Sequence, residues 1–97
     1  MDILPIAASA LNAAGTTAAV RANNIVNVAT EGYTAAEPVS GSIPTGGVAV
    51  FVQDVGQPVD LTLEIIGLQS ALNQYKAAAS LVETGVELNK TLLQAFA

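Results

Sequence analysis

The sequence predicts a mainly α chain in which two long terminal helices pack as a coiled-coil-like hairpin, with a small β-hairpin or extended linker between them. Three observations predict it. Apolar residues recur at three-four spacing from Leu4 to Val28, and at four-three spacing from Leu61 to Phe96. Between the two stretches, prolines and glycines crowd the chain and break any helical period. The 97 residues read as one domain: 1–32 for the first helix and its closing motif, 33–59 for the β or linker segment, and 60–97 for the second helix.

The first helix follows from Leu4, Ala7, Leu11, Ala14, Ala18, Arg21, Ile25 and Val28, a narrow seam in which Arg21 alone is not apolar. Pro5 suits a first turn, where a missing N–H costs nothing, and Gly32 suits the position just past a helix end. Gly15, Thr16 and Thr17 weaken the middle, the glycine alone by about 1 kcal/mol. Such a helix needs packing to persist.

In the middle segment, Val48–Val52 alternates and branches as a strand does, and residues 34–39 are its weaker partner across a Ser-Gly-Ser-Ile-Pro-Thr-Gly-Gly loop. Pro58 then precedes Asp60, which sits where the N-cap of the second helix belongs. That helix carries Leu61, Ile65, Leu68, Leu72, Tyr75, Ala79, Val82, Val86, Asn89, Leu93 and Phe96 as its seam. At 1.5 Å per residue it would be about 54 Å long. A second stripe, Leu81, Leu88 and Leu92, widens the apolar surface of its last third, and one partner helix cannot cover both.

Composition narrows the function. The chain is 52% hydrophobic but only 4% aromatic, so its apolar residues are small and bury little area each. A fold completed by neighbouring copies fits that composition better than a solitary globule. Net charge is −5, and three scattered cations, Arg21, Lys76 and Lys90, make no footprint for nucleic acid or for an anionic membrane surface. No stretch offers about 20 uninterrupted apolar residues, and the apolar start has acidic Asp2 and Pro5 where a secretory signal has basic residues. Membrane insertion and a cleaved signal are therefore not expected.

Chemistry finds little to work with. His and Cys are absent, which removes the commonest bases, thiol nucleophiles and metal ligands. Glu83 and Glu87 share a helical face, but with no third ligand and Lys90 nearby they read as a solvated acidic face. Gly46-Gly47 lacks the lysine and following helix of a phosphate loop. No enzyme, cofactor, metal or small-molecule substrate is expected.

The run Ala22-Asn23-Asn24-Ile25-Val26-Asn27-Val28-Ala29-Thr30-Glu31-Gly32-Tyr33 is the most specific feature of the chain. It resembles the A-N-N-I-A-N-x-x-T-x-G-Y signature near the N-terminus of bacterial flagellar axial proteins, with Val26 in place of Ala. Residues 59–66, V-D-L-T-L-E-I-I, are similar to the V-D-L-T-E-E-M-V opening of the C-terminal helix in that family. Tyr75 and Thr91-Leu92-Leu93 fall where its R-A-Y-E-A-N and T-L-L segments have theirs, and residues 48–56 are similar to a segment of the short proximal-rod members. Asn73, Lys76 and Ala78 depart from the family pattern, as do Leu63 and Arg21.

The resemblance implies a structural subunit of the flagellar rod, in the periplasmic basal body, exported by the type III route without a cleaved signal. Its partners would be copies of itself and other axial proteins, assembled helically through the terminal helices. The expected interface residues are Leu11, Asn23, Asn24, Ile25, Asn27, Gly32 and Tyr33 from the first half, and Leu61, Ile65, Leu68, Leu72, Tyr75, Val82, Val86 and Leu93 from the second. Three asparagines in five residues are hard to justify by helix propensity, and their amides could bridge chains. The alternative is a stand-alone helical adaptor or assembly regulator that binds axial proteins without polymerising.

Overall fold

The structure is a computed structural model describing residues 3–96; Asp2 and Ala97, read above as parts of the terminal segments, lie outside the described residues. Its elements run α1 (Ile3–Val26), β1 (Ala36–Ser42), β2 (Val48–Asp54) and α2 (Leu61–Phe96). The two helices pack antiparallel, and the two strands form an antiparallel hairpin. The body measures 62 × 24 × 14 Å.

The hairpin does not sit at the junction of the helices. It lies along α1, on the side away from α2, so α1 is the middle of three layers. Two polar links hold it there. At one end Val48 N–H donates to Ser9 Oγ at 3.0 Å. At the other, Asn24 binds the backbone of Ala36. Ser9 and Asn24 are about 22 Å apart along a helix, close to the length of a seven-residue strand, so the strands run nearly parallel to α1.

α1 is also long and apolar enough, by length and composition, to cross a membrane. Only 17% of its most apolar stretch is buried, although both α2 and the hairpin pack against it.

β1 is longer than expected at its far end. Ser40, Gly41 and Ser42, read as loop, pair with Val50, Ala49 and Val48. Gly41 is tolerated because the Phe51 ring from the neighbouring strand covers it, 3.7 Å from where a Cβ would be. The five-residue loop turns at Gly47, whose φ of +108° suits glycine alone. A side chain there would also collide with Ser9 Oγ.

The helix seam differs from expectation. α1 meets α2 through Ala7 and Ala14, at 1% and 3% exposure, and Ala71 and Ala78, at 1% and 7%. Arg21, Glu64 and Gly85 continue the two columns at seven-residue spacing. The seam assigned to α2 from Leu61 to Phe96 is therefore displaced: the buried column is Glu64, Ala71, Ala78 and Gly85. Small residues win because they let two backbones approach closely, which large side chains on the contact line would prevent. Gly15, the weak point of α1, has the same use, since the Tyr75 ring rests 3.5 Å from its missing Cβ.

Candidate assembly surface

The displaced seam leaves the large apolar side chains of α2 uncovered. Ile65, Leu72, Val86 and Leu93 stand one residue past the buried column, about 100° around the helix. They are 49%, 47%, 51% and 73% exposed. Leu61, Leu68, Tyr75 and Val82 lie between that row and α1; Leu68 and Val82 are half-buried, whereas Leu61 and Tyr75 are exposed. No residue of the two rows is charged. Beyond Gly85, which abuts Leu4 and Ile3 at the start of α1, Leu88, Leu92, Leu93 and Phe96 are all exposed. An isolated chain thus presents an apolar strip along most of a helix about 54 Å long.

The strip adjoins a groove of about 520 Å³ lined by Ala8, Leu11, Asn12, Gly15, Thr16, Ala19 and Tyr75. Leu11, expected at an interface, is half-buried on its wall. No group of three Asp or Glu among the described residues is placed to hold a metal ion.

The asparagine motif is arranged differently from the expectation of bridging amides. Helix α1 ends at Val26, and residues 27–32 form turns closed by Thr30 N–H to Asn27 O at 2.9 Å and Tyr33 N–H to Thr30 O at 3.2 Å. Asn24 is 0% exposed. Its Nδ2 donates to Ala36 O at 2.7 Å, and its Oδ1 accepts from Ala36 N–H at 3.0 Å and from Tyr33 Oη–H at 2.8 Å. An amide paired with both backbone groups of one residue does what a neighbouring strand would do, and it closes the outer edge of β1 at Ala36. Asn24 is therefore a residue of the chain's own fold, buried beyond the reach of a neighbour.

Exposed Asn23 and half-buried Asn27 join the same network. Asn23 Nδ2 donates to Tyr33 Oη at 3.3 Å, and Asn27 Nδ2 donates to Asn23 O at 2.9 Å. Thr30 Oγ1 donates to Asn27 Oδ1 at 3.2 Å. Ile25 is half-buried, and Gly32 is exposed in the turn with a φ of +79°. Val28, counted in the α1 seam, lies past the helix and is exposed.

The polar residue in the first seam has a structural partner. Arg21 Nη1 reaches Glu64 Oε1 at 3.2 Å and Oε2 at 3.3 Å, with the two side chains 17% and 6% exposed. Its Nε is buried with no hydrogen-bond partner among the described residues. Opposite charges, one near the end of the first helix and one near the start of the second, were a legible sign of antiparallel pairing. The Asn24 clamp had no such sign, because its partner is a backbone that any residue supplies.

No protein-family model matches the chain, and no curated protein matches it.

Proposed function

We propose that this chain is a structural subunit of an axial assembly of the flagellar-rod type, held to copies of itself or to related subunits through α2. The uncovered row Ile65, Leu72, Val86 and Leu93 carries the reading, because it is apolar, uncharged and runs along most of the helix it lies on. The motif resemblance at residues 22–33 and 59–66 supports it from a different direction. A surface of one subunit meeting a different surface of the next makes an open, heterologous assembly. Binding would come from removing that strip from water, at about 25 cal/mol per Å².

The adaptor reading is favoured by one observation. Asn24 and Tyr33 are satisfied within the chain, so the motif can serve a free-standing fold. Leu72→Asp separates assembly from folding, since position 72 is 47% exposed in the single chain. The variant should stay helical and lose assembly, because an unpaired carboxylate cannot be buried in the contact. Glu87→Ala, on an exposed part of the helix away from that row, should assemble as the parent does. Light scattering and electron microscopy against concentration read both. Polymer formation by Leu72→Asp at the parent's threshold would overturn the α2 reading, and a stable small oligomer of the parent would favour the adaptor.

A further inference from the structure

We propose that two copies of the chain also join through the free edge of β2, antiparallel about Phe51, so that one four-stranded sheet covers two α1 helices. This contact uses a surface other than the α2 row and does not depend on it.

The edges of the hairpin are guarded unequally. On β1, Ala36 is closed by Asn24, and Pro38 has no N–H to offer. On β2, Val48 N–H points away from β1 to Ser9 Oγ, while Val55 N–H points toward β1 and bonds Ala35 O. Backbone direction alternates along an antiparallel strand, so Val50 and Val52 turn their N–H and C=O outward as Val48 does. A charge is the common guard of an exposed edge. On β2 the one charge is Asp54 at the strand's end, its carboxylate held by Gly56 N–H and the Thr34 hydroxyl, and residues 48–53 carry none.

The sequence at that edge is its own complement. With a two-fold axis at Phe51, Val50 of each copy exchanges both backbone hydrogen bonds with Val52 of the other. The two Phe51 residues then face each other as a non-hydrogen-bonded pair, with side chains on the outer face. Phe51 is 65% exposed and Val52 57% exposed in the single chain.

The layer beneath fits the same occupant. Strands are spaced about 4.8 Å apart, so the midlines of two joined hairpins lie about 10 Å apart. Packed helices sit 8–10 Å apart, so the two α1 helices would come into contact under the joined sheet. The side of α1 beside the β2 edge borders a groove of about 280 Å³ lined by Ser9, Asn12, Ala13 and Thr16. Its neighbours Ala8, Gly15 and Ala19 are small too. Phe51 is midway along a strand whose ends are fixed near Ser9 and Asn24, which puts the axis at the level of Thr16. A second α1 meets mostly short side chains there, with Leu11 and Tyr75 on the wall of the groove nearer α2.

The test uses the full chain in a Leu72→Asp background, so that any assembly through α2 is disabled and a remaining dimer belongs to β2. Sedimentation at tens of micromolar should find twice the 9.8 kDa chain mass. The chain has no cysteine, so single replacements report position cleanly. Under mild oxidation Phe51→Cys should cross-link into a disulfide dimer at least tenfold faster than Val39→Cys. The first pair of Cα atoms would be about 4.5 Å apart, within disulfide reach, and the second about 14 Å apart. Val52→Pro removes an outward N–H that β1 does not use, and should leave helical circular dichroism unchanged while the dimer is lost. A monomeric parent, equal cross-linking of the two cysteine variants, or a dimer that survives Val52→Pro would overturn the proposal.

Discussion

Arg21, in the last turns of α1, and Glu64, in the first turn of α2, form a 3.2 Å ion pair where the two helices begin and end together. Both groups are largely out of water, and they occupy the same two columns as the buried alanines. The pair thus sets the register of the helical hairpin at its closed end. Its other role is exclusion: an antiparallel slip of seven residues, two turns, would break the pair and set Arg21 against Ala71 in one direction or Glu64 against Ala14 in the other.

Removing one partner should therefore cost far more than removing both. Arg21→Ala leaves a buried carboxylate and should lower stability by about 3 kcal/mol, a large part of what a domain this small has. Arg21→Met combined with Glu64→Met should return to within about 1 kcal/mol of the parent. Urea denaturation of the two variants checks the difference.

Asn24→Ala should destabilise the fold by about 2–4 kcal/mol, since it leaves the N–H and C=O of Ala36 without their partner. Amide hydrogen exchange at Ala36 should quicken in parallel. Asn23→Ala and Asn27→Ala remove only exposed bonds and should each cost under about 1 kcal/mol. Equal losses for all three would show that the clamp on β1 contributes nothing special.

Two helical glycines should respond oppositely to alanine. At Gly67 a Cβ would lie 2.7 Å from Arg21 Nε and 3.2 Å from its Cζ, atoms that the Glu64 pair holds in place. Gly67→Ala should lower stability by about 1 kcal/mol even after its gain in helix propensity. At Gly85 the nearest atom is Cδ2 of Leu4, the far end of a flexible side chain, which can rotate aside. Gly85→Ala should be neutral or stabilising, by up to about 1 kcal/mol. Thermal melts of both variants decide it.

Asp54 should titrate below the ordinary carboxylate value of 3.8, because the Gly56 backbone N–H and then the Thr34 hydroxyl bond its charged form. A depressed folded-state value stabilises the fold above 3.8, and that contribution fades as pH falls through the folded value. Proton-detected titration should show the shift, and Thr34→Val should reduce it without abolishing it.

The elements themselves were legible in the residues. The apolar periods mark both helices, Asp60 marks the start of α2 through its bond to Leu63 N–H, and Val48–Val52 marks a strand. Periodicity reports that a helix has an apolar side, and on α2 that side is real. It does not say which part of the side another helix of the same chain will take. That choice belongs to packing: a column of Ala and Gly permits close approach, so α1 settles on Ala71 and Ala78 and leaves Ile65, Leu72 and Val86 outside. Likewise, three asparagines in five residues announce an unusual need for amides, but only the fold of β1 back along α1 brings Ala36 to Asn24. Local pattern determines which elements form, because it acts over one or two turns. Contacts between residues 12 to 81 positions apart decide which side chains are enclosed and which remain for a partner.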